Sequence, residues 1–182
     1  MALLEPRVVE LKDGRKAVVR HLEPADAPRL PDFMERIAVE TTHTMMYVGR
    51  RFELKELEAR LQRTHRCPAS LDAGVFHDEV LVGALLLTPE NQNHPWIRHC
   101  ASFGMMLLKD YWGQGLGRRL LALMEEHAAR RGLRRIEAAV RVENSRGMAL
   151  YLSAGYRVEG LRRSAAYIDG RFEDEYVIAK LL

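Results

Sequence analysis

The stretch that decides the fold is "SFGMMLLKDYWGQGLGRRLLALMEEHAARRG", residues 102–132. An apolar run breaks at Gly113, Gly115 and Gly117, and Arg118 and Arg119 then open a helical pattern. Over residues 115–131 the side chains of Leu116, Leu120, Leu123, Met124 and His127 recur at helical spacing, which predicts an amphipathic helix. The first turn of a helix leaves backbone N–H groups without partners, and the helix dipole makes that end attractive to anions. Glycines there admit positive φ and let a phosphate approach the backbone. Two arginines in a first turn stand at the wrong end of the dipole, at a cost of about a few tenths of a kcal/mol each. A bound anion reverses that sign. The pattern therefore favours a phosphate site, with a ligand-free tight turn as the alternative.

Two familiar phosphate motifs do not fit. A P-loop needs Gly-x4-Gly-Lys-Ser/Thr, and no lysine follows these glycines. A dinucleotide fingerprint needs a third glycine where Arg118 stands, although Glu137 follows about twenty residues on.

Outward from this segment the chain reads as alternating short elements. "VVELKDGRKAVVRHL" gives two strands around Asp13-Gly14, and "SLDAGVFHDEVLVGALLLT" a hairpin turning at "HDE". "EPADAPRLPDFMERIAVE" has helix-entry chemistry at Asp26, with Pro28 and Pro31 against one continuous helix. "FELKELEARLQRTH" predicts a helix burying Leu54, Leu57 and Leu61. "IRHCASFGMMLLK" predicts a strand bent or bulged near Gly104. After the glycine-led helix come a strand, "RRIEAAVRV", a short helix closed by Gly155, and two strands around Asp169-Gly170. This order describes one mixed α/β domain, residues 1–182, with a largely antiparallel sheet.

Bulk properties narrow the class. The 182 residues suit a single core, and 47% hydrophobic with 29% charged residues is ordinary for a globular protein. No apolar run approaches a membrane span, and "MALLEPRVVELKDGRK" meets Glu5 and Pro6 too early for a signal peptide, so a cytoplasmic chain is expected. Cys67 and Cys100 have no metal-ligand spacing and read as buried free thiols. The net charge of +3 is weak support for phosphate-bearing ligands, and no basic, aromatic-laced stretch suggests nucleic acid. Arg130-Arg131 and Arg134-Arg135 read as a solvated helix end and turn.

"YWGQGLGR", residues 111–118, resembles the pyrophosphate-binding motif Gln/Arg-x-x-Gly-x-Gly/Ala of the GCN5-related N-acetyltransferases (GNAT). Trp112 stands where Gln or Arg is usual, as in the subset that acetylates ribosomal proteins. "ENSRGMALYLSAGY" resembles the family's Asn-x6-Tyr-x3-Gly-Tyr/Phe segment, through Asn144 and Tyr151. The tail from Glu159 resembles the bacterial branch of ribosomal-protein-alanine and free amino-acid N-acetyltransferases. The resemblance runs over residues 16–181, with its motif core at 103–156 and a variable substrate region at about 24–66. It implies a twisted, mostly antiparallel sheet of about six or seven strands with about four helices, and two splayed parallel strands forming a cofactor cleft.

The resemblance also implies roles. Acetyl-CoA would lay its pantetheine arm along Met105, Met106 and Leu107 like an added strand. Its pyrophosphate would meet the amides of Gly113, Gln114, Gly115, Leu116, Gly117 and Arg118. Tyr151 would protonate the departing thiolate, and Asn144 would hold the cofactor or else cap its helix. The base that frees the acceptor amine is less determined. Ala139 occupies the place where ribosomal-type relatives carry Glu, leaving His99, Glu137 and His43 as candidates. His99 is preferred because imidazole titrates near neutrality, with an ordinary surface histidine as the alternative. The expected activity is acetyl transfer to a primary amine of a small molecule such as an amino acid. The alternatives are N-terminal acetylation of a ribosomal-type protein and a non-catalytic CoA sensor. Acceptor choice is expected to lie in residues 24–66 and around Tyr167, with "TTHTMMY" either lining an apolar pocket or filling the core, the core being preferred; a homodimer is compatible with the chain.

Overall fold

The computed structural model describes residues 4–182, so the first three residues of the N-terminal stretch read against a leader lie outside it. Twelve helices and strands follow in order: β1 (Arg7–Glu10), β2 (Lys16–His21), α1 (Leu30–Glu40), α2 (Leu54–Arg66), β3 (Leu71–His77), β4 (Val80–Pro89), β5 (Cys100–Leu107), α3 (Leu116–Arg130), β6 (Arg135–Arg141), α4 (Ser145–Ser153), β7 (Arg157–Ile168) and β8 (Arg171–Leu181). The strands form one eight-stranded sheet in the order β1-β2-β3-β4-β5-β6-β8-β7. Every pairing is antiparallel except β5 with β6. The sheet has one strand more than the upper expectation, because both arms of the N-terminal hairpin pair into it.

Local chemistry explains the punctuation. The β1–β2 connection closes with Leu11 N–H donating to Arg15 C=O at 2.8 Å, and Gly14 sits at φ +88 within it. That makes a loop of three residues with glycine in the left-handed position, one longer than the two-residue turn expected at Asp13-Gly14. A 3-10 segment over Pro24–Arg29 precedes α1, so the prolines do break the stretch; Asp26, its third residue, accepts the Glu23 N–H at 2.9 Å and clamps Arg20 at 2.6 and 2.8 Å. In α2, Leu57 and Leu61 are buried as predicted, whereas Leu54 is 42% exposed because it opens the first turn, ahead of the packed stretch. Helix α4 ends as read from Gly155: at φ +92 its N–H reaches Leu152 C=O at 3.0 Å, and Tyr156 N–H reaches Tyr151 C=O at 3.0 Å.

Side-chain alternation sorts the two sheet faces. Val75, Leu85, Phe103 and Ile136 point to the face covered by α3 and α4. Asp72 points to the other, where Arg60 of α2 meets it at 3.1 Å, and α1 packs there against β4. Among the described residues no helix is long and apolar enough to cross a membrane. Cys67 and Cys100, expected to be buried, are free thiols that the structure leaves half-buried.

The predicted irregularity at Gly104 takes another form. Pairing of β5 with β4 runs unbroken from Ala101 to Leu107, and the register slip in this part of the sheet lies in β3, between Val75 and Phe76. On its other side β5 pairs with β6 only over Cys100–Ser102, after which the two strands part. The departure is a splay between neighbours, with no extra residue in either strand.

Candidate active site

The splay frees one edge of β5. Leu108 N–H donates to Val82 C=O at 3.0 Å, and the register then fixes which backbone groups face β4. By alternation the groups of Met106 and Gly104 also face β4, whereas those of Phe103, Met105 and Leu107 face the gap left by β6. Of the three residues expected to hold an added strand, Met105 and Leu107 present their backbone to it, and Met106 is already paired with Ala84. Leu107 C=O is itself taken by the Trp112 indole N–H at 2.7 Å, which fastens the segment leading to α3 against the strand.

That segment carries the glycines. Gly113 at φ +76 and Gly115 at φ +84 supply the left-handed backbone that turns the chain into α3. Gly117 serves packing: a Cβ there would come within 2.8 Å of Leu150 in α4. Gly115 is the N-cap without a side-chain cap, and the first helical bond runs from Arg119 N–H to Gly115 C=O at 3.3 Å. The amides of Leu116, Gly117 and Arg118 therefore have no intrahelical acceptor. No acidic residue occupies this turn; Arg118 extends to Ser153 Oγ at 3.2 Å, and Arg146 lies 5.4 Å over the Trp112 ring. Free amide donors and nearby arginines make this helix start favourable to an anion.

A cavity of about 380 Å³ joins these pieces. Its walls include Met105, Met106, Leu107, Gly113, Gly115, Leu116, Gly117, Arg118, Asn144 and Tyr151. Gln114 is the one residue of the predicted run outside the lining, and its Oε1 is buried without a partner. Tyr151 is 7% exposed and packs edge-on against Phe103, ring centres 5.6 Å apart. Burial pushes its phenol up to about 12, so it is protonated at neutral pH. Asn144 caps α4, its Oδ1 accepting the Gly147 N–H at 2.9 Å. Gly147 is needed for that approach, since a Cβ there would stand 2.6 Å from the Asn144 amide. The capping role and a place on the cavity wall thus coexist in Asn144.

The histidines fall differently from expectation. His99 precedes β5 at the end remote from the cavity, about 20 Å along the strand from Met105. It is exposed beside Cys100, 3.4 Å from Sγ, and is no part of the cavity wall. Glu137 pairs with Arg135 at 3.0 Å near the start of β6, where the strands are still joined. His43 does line the cavity, together with Ile37, Thr41 and Thr44 from the end of α1 and the loop beyond it. "TTHTMMY" is accordingly wall more than core: Met45 is 72% and Tyr47 64% exposed, and Met46 alone of the three packs against the core. On this α1 face Gly104 and Ala139 are exposed although their strands are central, and a Cβ at Gly104 would meet open space. The cavity therefore reaches from the α3–α4 face, past the end of β5, to the α1 face.

Known proteins resemble the chain in sequence and in fold. The Acetyltransferase (GNAT) family model matches residues 33–156. "Probable N-acetyltransferase YjcK" of Bacillus subtilis (strain 168) is 28% identical over 179 residues, covering 92% of this chain and 95% of its own. The crystal structure of a GNAT-family acetyltransferase from Streptococcus pneumoniae superposes with a TM-score of 0.85 at 28% identity, covering 91% of this chain and 99% of that one. A phosphinothricin acetyltransferase from Sinorhizobium meliloti, in complex with acetyl-CoA, shares the fold at a TM-score of 0.78 and 17% identity, covering 91% and 88%. With its splayed strands, its anion-seeking turn and a family match across most of its length, this chain belongs to the GNAT family of acetyltransferases and is an acyltransferase.

Proposed function

We propose that the protein transfers the acetyl group of acetyl-CoA to the primary amine of a small molecule such as an amino acid. The observation that carries this reading is the single cavity that collects an unpaired strand edge, three free helix amides and a buried phenol. The acyl donor is acetyl-CoA. Its diphosphate suits the amides of Leu116, Gly117 and Arg118, and its amide-bearing arm suits the backbone of Met105 and Leu107.

The chemistry follows from the phenol's surroundings. A neutral amine attacks the thioester carbonyl, and the C–S bond breaks with its electron pair on sulfur. At about 12, the Tyr151 phenol is a weaker acid than a free thiol near 8.5, so complete proton transfer to a solvated thiolate would be uphill. A thiolate leaving between the same walls is desolvated as well, which raises its own proton affinity. Tyr151 thus donates where charge develops and stays un-ionised otherwise.

A small acceptor fits the α1 side, whose wall is made of Ile37, Thr41, His43 and Thr44, and Ala139 adds no carboxylate there. We place the activity in the cytoplasm, consistent with the free thiols Cys67 and Cys100. The test is thiol release from acetyl-CoA across amino acids, polyamines, antibiotic amines and short peptides. Turnover with small amines supports the reading, and turnover confined to peptides replaces it with N-terminal protein acetylation. Thermal stabilisation by CoA with no thiol release would make the chain a sensor.

A further inference from the structure

The donor half of the cavity has its proton source in Tyr151, yet an ammonium acceptor must first lose a proton, and neither His99 nor Glu137 reaches the cavity. We infer that His43 is the catalytic base, taking a proton from the acceptor's ammonium at Nε2. This deepens the acetyltransferase reading and rests on it.

Three observations place His43 there. It lines the cavity from the α1 side, as Tyr151 does from α4. Its Nδ1 is buried without a partner, so Nε2 is the ring nitrogen that an acceptor can reach. Its loop is pinned by local bonds: Thr41 Oγ1 accepts the His43 N–H at 3.1 Å, and Thr44 Oγ1 accepts the Met46 N–H at 3.1 Å. Just before the loop, Glu40 accepts the Lys109 N–H at 2.6 Å, tying the end of α1 to the segment after β5.

The other ionisable groups around the cavity serve poorly. Lys12, from the β1–β2 loop, and Arg118 and Arg146, from α3 and α4, are side chains that donate hydrogen bonds and offer no acceptor. Tyr111 is engaged with His77 Nδ1 at 2.7 Å, and Glu143 lies exposed beside the Asn144 cap on the α4 wall. Imidazole is the side chain that both accepts and releases protons near pH 7. The proton count closes. The nitrogen loses one proton to His43 before attack and a second as the tetrahedral adduct collapses. One of the two replaces the proton that Tyr151 gives to sulfur, and the other leaves to solvent.

The test compares two nucleophiles with acetyl-CoA in the wild type and in His43→Gln. Ethylamine is an ammonium at pH 7 and needs a base; hydroxylamine is already neutral and does not. We expect His43→Gln to slow ethylamine-dependent thiol release about 100-fold, and the hydroxylamine reaction less than about threefold. The gap between wild type and variant with ethylamine should narrow as pH rises and more of the amine is neutral without a base. CoA-induced thermal stabilisation, unchanged in the variant, shows that fold and donor site are intact. Equal slowing with both nucleophiles, no slowing, or no enzyme-dependent release from either while CoA still binds overturns the assignment. Absence of CoA binding in the wild type would instead overturn the donor-site reading.

Discussion

The two walls of the cavity are built by opposite means. On the α3–α4 side the cavity is lined by backbone: amides at a helix start and a freed strand edge, positioned by glycines and locked by the Trp112 indole. On the α1 side they are side chains of a loop, Thr41, His43 and Thr44, followed by the exposed Met45 and Tyr47. Backbone geometry of this kind suits the donor that every acetyl transfer shares, and it tolerates substitution as long as the chain path is kept. Loop side chains can change without disturbing the core, so the acceptor side is where members of such a fold can diverge.

The sharpest test of this division is Tyr151→Phe. It should reduce kcat about 1,000-fold in a thiol-release assay while leaving CoA binding by calorimetry unchanged. A matching loss of CoA affinity would mean that the hydroxyl belongs to the binding wall, and the division would fail there.

The support under α3 predicts a pH effect. His21, between His65 at 4.8 Å and His127, is kept neutral by burial and by those neighbours, its imidazole lowered to about 4; His127 is lowered too, by burial and then by Arg131. Above pH 6.5 His21 is neutral whether the chain is folded or not, so its contribution is constant. Between about 6.5 and about 4 only the unfolded chain takes up the proton, and stability falls with falling pH, by about 2 kcal/mol after allowance for solvent screening. Urea midpoints measured across that window should show the loss, and His21→Leu should reduce it, leaving the part that His127 contributes. A slope unchanged in His21→Leu would assign the acid sensitivity elsewhere.

Gly115→Ala probes the backbone wall directly. A Cβ there meets no neighbour, so the cost is that of holding alanine at φ +84, about 1–2 kcal/mol, and CoA affinity should drop about tenfold. The smallest effect belongs to the loop: Met45→Ser should leave the melting temperature within the shift equivalent to about 0.5 kcal/mol and alter KM for the acceptor alone. A clear loss of stability would show the loop to be part of the packed structure.

The same contrast explains what the sequence made legible. The donor wall lies within residues 103–156, where glycine spacing, helical periodicity and the Asn144–Tyr151 interval are all local signals. The sequence favours His99 as base through its residue type, but residue type does not reveal which end of a strand meets a cavity. Only the point at which β6 departs, after Ser102, decides that. His43 and Tyr151 are 108 positions apart, and no periodicity connects them. "TTHTMMY" looked apolar enough for a core, yet its threonines form local turns that leave Met45 and Tyr47 outside. The irregularity expected at Gly104 was real in consequence and misread in form: an exposed glycine marked the opening beside the strand.

Three residue pairs are all that join β5 to β6. The sheet is thus perforated along its own middle, with β1 to β5 on one side and β6 to β8 on the other. Pulled apart from opposite edges, the molecule would tear along that line first. A coenzyme lying in the tear, bonded to one torn edge and gripped by the helix that bridges both halves, would act as a stitch, so its arrival and departure would set the mechanical strength of the whole protein.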